Sequence, residues 1–109
     1  CKRLAKFLQK LDNATVYTFL YPILSEDSLR KSKQIWCSAD RAKAWNEWMA
    51  EGKALTGKDS CDTTAISKNV DFGRDLKITG TPTIFFADGE RFPGAMPLAN
   101  IEKKLGSIK

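Results

Sequence analysis

The stretch TGTPTIFFADGERF, residues 79–92, decides the fold of this 109-residue chain. Within it, residues 83–87 form an apolar run of strand length, Asp88-Gly89 is a favoured hairpin turn, and residues 90–92 can form the second strand. Pro82 stands at the entrance to the first strand, one of the few strand positions that tolerate proline. About 5 to 6% of X-Pro bonds in folded proteins are cis, so the residues alone favour a trans bond there. The stretch predicts a β-hairpin that is entered through a proline loop.

Helices are predicted on both sides of this hairpin from apolar spacing and capping residues. They cover residues 2–11, 26–36, about 40–51, from the caps at 62–64 to about 76, and from Pro97 to about 107. Ser25 is a plausible N-cap of the second helix, and Asp12 and Asn13 break the first. Gly52 suits a helix C-terminus, the polar residues 52–60 predict a loop, and Gly73 is expected to allow close packing.

One further strand is predicted over residues 15–21, which are rich in β-branched and aromatic side chains. A nearly unbroken apolar run of this kind is typical of a strand that is covered on both faces, as in a parallel sheet. The longest stretch without a charge, residues 13–25, holds about ten apolar residues in a row, whereas a bilayer-spanning helix needs about 20. The sequence therefore predicts one compact domain, residues 1–109, with no membrane span.

The charge and residue content narrow the classes of function. The net charge of +5 is mildly attractive to acidic partners in general. Lys2, Arg3, Lys6 and Lys10 alternate with apolar residues, which is typical of a solvated helix face and gives no indication of nucleic-acid binding. The chain has no histidine, which excludes Ser-His and Cys-His nucleophile pairs within it.

The chain has three cysteines, Cys1, Cys37 and Cys61. An odd number suggests one disulfide and one thiol whose partner lies elsewhere. No pair has the close C-x2-4-C spacing of structural zinc sites, so no metal site is predicted. Cys1 directly precedes an amphipathic helix, whose unpaired amides and positive dipole end stabilise a thiolate. By itself this position is a weak signal, and an accidental terminal residue is the favoured interpretation.

In combination, these features resemble the catalytic domain of periplasmic disulfide isomerases of the DsbC/DsbG type. They are a cysteine before a helix, two cysteines that flank a helical insertion, Gly-Thr-Pro before a hairpin, and a closing helix. The resemblance covers nearly all 109 residues, and its Gly-Thr-Pro form is closer to DsbC than to DsbG. Its most specific pieces are Ile35-Trp36-Cys37, Ser60-Cys61-Asp62 and Thr79-Gly80-Thr81-Pro82 with Asp88-Gly89 following.

The fold that this resemblance implies is α/β, thioredoxin-like, with a helical insertion at about residues 25–61. In such a fold, the first central strand would precede Cys1, so it is expected to be missing from this N-terminally incomplete sequence. Cys1 would be the second, resolving cysteine of a C-x-x-C pair, and the nucleophilic cysteine would lie three positions upstream.

The resemblance also assigns the other site residues. Thr81 and Pro82 match the cis-proline loop that faces the active cysteines, where the backbone of Thr81 would bind an extended substrate peptide. Cys37 and Cys61 match a structural disulfide. Closing a loop of about 25 residues would stabilise the fold by roughly 3 kcal/mol, although two free thiols or a reactive second pair remain alternatives.

The implied activity is thiol:disulfide interchange, as a disulfide isomerase or reductase that acts on unfolded or misfolded proteins in the periplasm. No cofactor, metal or nucleic acid is expected. A membrane thiol reductase of the DsbD kind would keep the pair reduced, and a homodimer is expected only if an N-terminal dimerisation domain exists. Two alternatives stay open: a redox-inactive thioredoxin-like binding module or chaperone that uses the region around Pro82, and a monomeric thiol oxidase or reductase.

Overall fold

The protein is described here by a computed structural model that covers residues 1–11 and 13–108. Its elements fall into two compact units: the first comprises Cys1–Tyr17 and Gly80–Lys109, and the second comprises Thr18–Thr79. In chain order the elements are α1 Lys2–Leu8, α2 Glu26–Trp36, α3 Arg41–Met49, α4 Thr64–Asp75, β1 Thr83–Phe85, β2 Arg91–Pro93 and α5 Leu98–Ser107.

The first unit is built on the β1–β2 hairpin together with α1 and α5. The two strands are antiparallel, with Thr83 opposite Pro93 and Phe85 opposite Arg91. Gly89 adopts a φ of 89°, which a glycine reaches without strain, so the predicted turn at this position is confirmed. The buried side chains of the unit come from both helices and the hairpin: Leu4, Ala5, Phe86 and Ile101.

The second unit packs α2, α3 and α4 around a small core. Leu20, Ile35 and Ile66 are buried at its centre, and Ile66 is only 1% exposed. Half-buried aromatic and aliphatic side chains surround them: Trp36, Ala44, Trp45, Trp48 and Leu55. The three tryptophans of the chain therefore lie around one core, on α2 and α3.

Gly73 of α4 packs directly against an aromatic ring of this unit. A Cβ atom placed on Gly73 would lie 2.3 Å from Cε1 of Tyr21. The Tyr21 hydroxyl donates a hydrogen bond to the carbonyl of Ile78 at 2.7 Å, which holds the ring in that place. The close packing expected at Gly73 is confirmed, and the neighbour is the Tyr21 ring.

Side-chain caps explain where α2 and α3 begin. The Ser25 side chain accepts a hydrogen bond from the Ser28 amide at 3.1 Å, and Asp40 accepts one from the Lys43 amide at 3.1 Å. These bonds satisfy amides that have no partner within the helix. The bounds predicted for α2 are confirmed, and Gly52, with a φ of 69°, follows α3 as expected.

The first helix is shorter than predicted. It ends at Leu8, and the next residues form a tighter turn in which the Lys10 amide bonds the Phe7 carbonyl at 3.1 Å. Asn13 then adopts a left-handed φ of 51°, which is tolerated by asparagine and incompatible with continuing the helix. Asp12, the other predicted helix breaker, lies outside the described residues.

The strand predicted over residues 15–21 is wrong, because this segment forms no strand and joins no sheet among the described residues. Tyr17 and Phe19 are 80% and 74% exposed, whereas Leu20 is buried. The Leu20 carbonyl accepts a hydrogen bond from the Asn69 side chain at 3.1 Å. Residue types that favour strands make no strand without a ladder partner, and a side-chain amide occupies this carbonyl instead.

Candidate functional site

Cys1 is a free, exposed thiol at the residue that precedes α1. Its carbonyl accepts the first hydrogen bond of the helix, from the Ala5 amide at 2.9 Å, while its side chain makes no capping bond. The sulfur therefore lies at the N-terminal end of α1 with no structural bond that would have to break before it reacts.

The Thr81–Pro82 peptide bond is cis, and the two residues are half-buried in the loop that leads into β1. The Pro82 carbonyl accepts a hydrogen bond from the Gly94 amide at 2.7 Å, and the Thr83 hydroxyl donates to the Gly80 carbonyl at 3.0 Å. Between these two anchors, the backbone of Thr81 takes part in no hydrogen bond between described residues. Its amide and carbonyl are available to an extended peptide.

Cys1 and the Thr81–Pro82 loop both belong to the first unit, so the three residues of the predicted exchange site share one compact body. The loop is held in that body by the hairpin that it enters. That Pro82 faces Cys1 remains a prediction.

Cys37 and Cys61 lie in the second unit and are joined by a disulfide, with S–S 2.01 Å and a Cα–Cα distance of 5.6 Å. The bond links the C-terminal end of α2 to the segment just before α4. The Cys61 amide also donates to the Cys37 sulfur, at 3.3 Å. The pairing implied by the resemblance is present, and it closes the α2–α3 pair and the loop after it.

A tryptophan–arginine contact that the sequence did not suggest lies next to this disulfide, at the residue before Cys37. The Arg41 guanidinium lies 3.5 Å from the centroid of the Trp36 ring, and its Nε donates to the Trp36 carbonyl at 2.6 Å. The Trp36 indole N–H donates in turn to the Asp62 carbonyl at 3.1 Å. The residues next to both cysteines are thus linked by hydrogen bonds independently of the sulfurs. No sequence pattern indicates this, because the backbone turn between α2 and α3 brings the groups together.

The carboxylates of Asp62 and Asp88 have lowered pKa values for local reasons. The hydroxyl and the amide of Thr64 donate to the Asp62 carboxylate at the start of α4, which lowers the Asp62 pKa. The pKa of Asp88 is lowered by the Lys104 ammonium at 2.6 Å and by the Glu90 amide. Lys104 also contacts the Glu90 carboxylate, and the two acids raise the Lys104 pKa. Lys104 therefore ties α5 to the hairpin turn that follows β1.

The described residues contain no cluster of potential metal ligands. Across residues 1–11 and 13–108, no group of three or more Cys, Asp or Glu side chains could hold an ion. Within the same ranges, no helix has both the length and the apolar character needed to cross a membrane.

Comparison with known proteins assigns the fold. The family described as a thioredoxin-like domain matches residues 1–109. The chain belongs to this family. A solved structure, the crystal structure of a disulfide interchange protein from Neisseria gonorrhoeae, is 37% identical, with a TM-score of 0.90 over 97% of this chain and 76% of that one. The predicted α/β, thioredoxin-like fold is therefore confirmed.

Curated relatives carry the same name as the predicted type. A probable thiol:disulfide interchange protein DsbC from Bordetella pertussis is 46% identical over 105 residues, which are 96% of this chain and 37% of that protein. The thiol:disulfide interchange protein DsbC of Escherichia coli K12 is 35% identical over 74 residues, 68% of this chain and 30% of that protein. The predicted resemblance to the DsbC type is confirmed, while the chain spans only 37% and 30% of the length of these two relatives.

Proposed function

We propose that this chain, residues 1–109, is the catalytic domain of a thiol:disulfide interchange enzyme, with the α2–α3 insertion at about residues 25–61. The observation that carries the proposal is an exposed, free Cys1 thiol at the start of α1, in the same unit as the Thr81–Pro82 loop, where the Thr81 backbone makes no hydrogen bond to another described residue. The thioredoxin-like family and the relatives named for this activity support it.

In the proposed reaction, Cys1 is the resolving cysteine and the nucleophile is a cysteine three positions upstream. The nucleophilic thiolate attacks one sulfur of a substrate disulfide; the substrate S–S bond breaks, a mixed disulfide forms, and one substrate thiolate leaves. Thr81 holds the substrate backbone during this step by strand-like hydrogen bonds.

Cys1 then determines the outcome. If its thiolate attacks the mixed disulfide, the substrate leaves with both sulfurs reduced and the enzyme holds the new disulfide. If a second substrate thiolate attacks first, the substrate leaves with a rearranged disulfide and the enzyme thiolate is restored. The second route is isomerisation and consumes no electrons, whereas the first is reduction and requires the pair to be reduced again.

The proposed setting is the periplasm, with unfolded or misfolded proteins as substrates and a membrane thiol reductase of the DsbD kind as electron donor. The Cys37–Cys61 bond supports an oxidising compartment, because disulfides of this kind are rare in the reducing cytosol. We infer a homodimer only if the encoded protein carries an N-terminal dimerisation domain.

The test is a Cys1→Ser variant of the encoded protein, assayed on a scrambled multi-disulfide protein. We expect reduction of substrate to stop and a mixed disulfide to accumulate, since the resolving thiol is gone. A Cys37→Ala/Cys61→Ala variant serves as the control and should exchange disulfides normally. If the Cys1→Ser variant forms no mixed disulfide while still binding unfolded chains, the protein is a redox-inactive binding module instead.

A further inference from the structure

The positive charge of this protein is concentrated on the helix that follows Cys1. Residues 1–11 contain four cationic side chains and no acidic one, which is most of the net charge of +5. The second unit, in contrast, is nearly neutral, with ten cationic and nine acidic residues between Thr18 and Thr79. A charge excess in one place produces a local field that a balanced surface does not.

Three of these side chains form one exposed stripe, namely Arg3, Lys6 and Lys10. Their spacing of three and four residues places them on one side of α1 and the turn that extends it, and all three are exposed. The opposite side carries the buried Leu4 and Ala5. No ion pair between described residues involves this cationic stripe, whereas acids elsewhere, such as Asp27 and Asp88, are paired.

The stripe lies within electrostatic range of the thiol. Because an α-helix rises about 1.5 Å per residue, the Cα atoms of Arg3 and Lys6 lie about 3 and 7.5 Å along the axis from Cys1. The Debye length at physiological salt is about 8 Å, so these two charges are only partly screened at the sulfur. A peptide segment that approaches Cys1 therefore meets a positive potential.

Aromatic groups that would favour a nucleic acid are scarce along the stripe. The aromatic ring of this helix belongs to Phe7, which is half-buried, and Arg3 already lies 5.6 Å from its centroid. Single-stranded nucleic acids bind through exposed stacking platforms in addition to charge. A flexible acidic peptide needs only the charges.

We propose that the cationic stripe selects protein substrates in which the residues next to the reacting disulfide are acidic. This inference rests on the proposed function and adds the substrate class to it. The stripe acts on encounter and orientation, because charges at the rim of a binding site change mainly the association rate and its salt dependence.

The experiment uses the reduced, encoded protein and three model peptides with the same internal disulfide. The residues that flank the disulfide are glutamate, lysine or glutamine. Single-turnover reduction rates are measured by stopped flow, and each is divided by the rate at which dithiothreitol, whose only charge is that of the reacting thiolate, reduces the same peptide. This division removes the effect of the flanking charges on the intrinsic reactivity of the peptide.

For the wild type at low salt, we expect the glutamate peptide to react about tenfold faster than the lysine peptide, at the low end of electrostatic steering. The ratio should approach one at about 1 M salt, where the Debye length is about 3 Å. Arg3→Glu/Lys6→Glu should invert the preference. The control, Lys58→Glu/Lys68→Glu, makes the same change in net charge within the second unit and should keep the wild-type ratio.

An unchanged ratio in Arg3→Glu/Lys6→Glu, or a ratio that does not respond to salt, overturns the inference. If that variant does not fold, Lys6→Gln/Lys10→Gln leaves the Arg3–Phe7 contact intact and should lower the ratio to about threefold; no reduction of the ratio is again a refutation. The glutamine peptide distinguishes failure of the proposed function from failure of the role assigned to the cationic stripe. If the wild type cannot reduce it, the proposed function fails, whereas equal rates for all three peptides refute only the role of the stripe.

Discussion

Removing the disulfide of the second unit should cost stability and leave disulfide exchange intact. The bond joins Cys37 and Cys61, which are 24 residues apart in sequence. In the chain-entropy model, closing a loop of this size removes about 11.6 cal/mol/K from the unfolded chain, or about 3.4 kcal/mol at 25 °C. Cys37→Ala/Cys61→Ala should therefore lower the free energy of unfolding by about this amount.

The residues around the bond should keep the local structure in place in this double variant. Arg41 and Trp36 remain stacked, and the Trp36 indole still bonds the Asp62 carbonyl, since neither contact involves sulfur. The hydrogen bond from the Cys61 amide to the Cys37 sulfur is lost as well. The expected loss thus comes from the unfolded chain and not from collapse of the native insertion.

Urea unfolding followed by circular dichroism measures the effect. With an m-value of about 1 to 3 kcal/mol/M, the midpoint should fall by about 1 to 3 M. Cys1→Ala is the matched control: the side chain is exposed and makes no capping bond, so its effect should stay within about 0.5 kcal/mol. A loss below about 1 kcal/mol would show that the bridge does not constrain the chain. Lost exchange in a folded double variant would show that the pair takes part in the reaction.

Four further substitutions test packing and charge. Gly73→Ala should destabilise by about 1 to 3 kcal/mol because its Cβ would meet the Tyr21 ring. Gly106→Ala, in open space on α5, should stabilise by about 0.5 to 1 kcal/mol, and urea unfolding measures both changes. Ile66→Ala should cost about 2 to 5 kcal/mol in urea titrations, since Ile66 is the most buried side chain of the core. The folded-state pKa of Asp88 is lowered, so its contribution is present above the unfolded value of about 3.9 and is lost as the pH falls through the folded pKa. The stability difference between wild type and Asp88→Asn should therefore be constant near neutral pH and shrink as the pH falls below about 3.9; a difference that does not shrink in acid contradicts it.

What the sequence predicted well was local. The bounds of α2 follow from a serine cap and two acids in the first turn, signals that lie within four residues of the helix start. The hairpin follows from Asp88-Gly89 and the apolar run before it, although β1 ends two residues earlier than expected. The Asp88 side chain accepts the Glu90 amide at 3.0 Å, and residues 86–90 serve as the turn.

What the sequence could not predict depends on groups that are distant along the chain. Residues 15–21 have the composition of a strand, but composition cannot supply the partner that makes a strand. Lys104 pairs with Asp88, which lies 16 residues away in sequence, and no periodicity indicates this contact. The Trp36–Arg41 contact forms only because the chain turns between two helices. For the candidate site, Thr81 and Pro82 became visible only through the resemblance, because the residues alone favoured a trans bond.

The different states of the cysteines bear on how the proposed enzyme must be supplied with electrons. Cys37 and Cys61 are oxidised, while Cys1 is exposed, and an accessible thiol next to a helix N-terminus is readily oxidised in a compartment where disulfides persist. Isomerisation needs the nucleophile as a thiolate at the start of each cycle. Each time the enzyme reduces a substrate, its own reactive pair becomes a disulfide, and the enzyme cannot isomerise until that disulfide is reduced. A dedicated reductant therefore has to act on the pair containing Cys1 while sparing the Cys37–Cys61 bond. Acid-trapping of the protein in cells should show the pair containing Cys1 reduced and the Cys37–Cys61 bond intact. A reduced Cys37–Cys61 pair alongside an oxidised Cys1 would contradict this expectation.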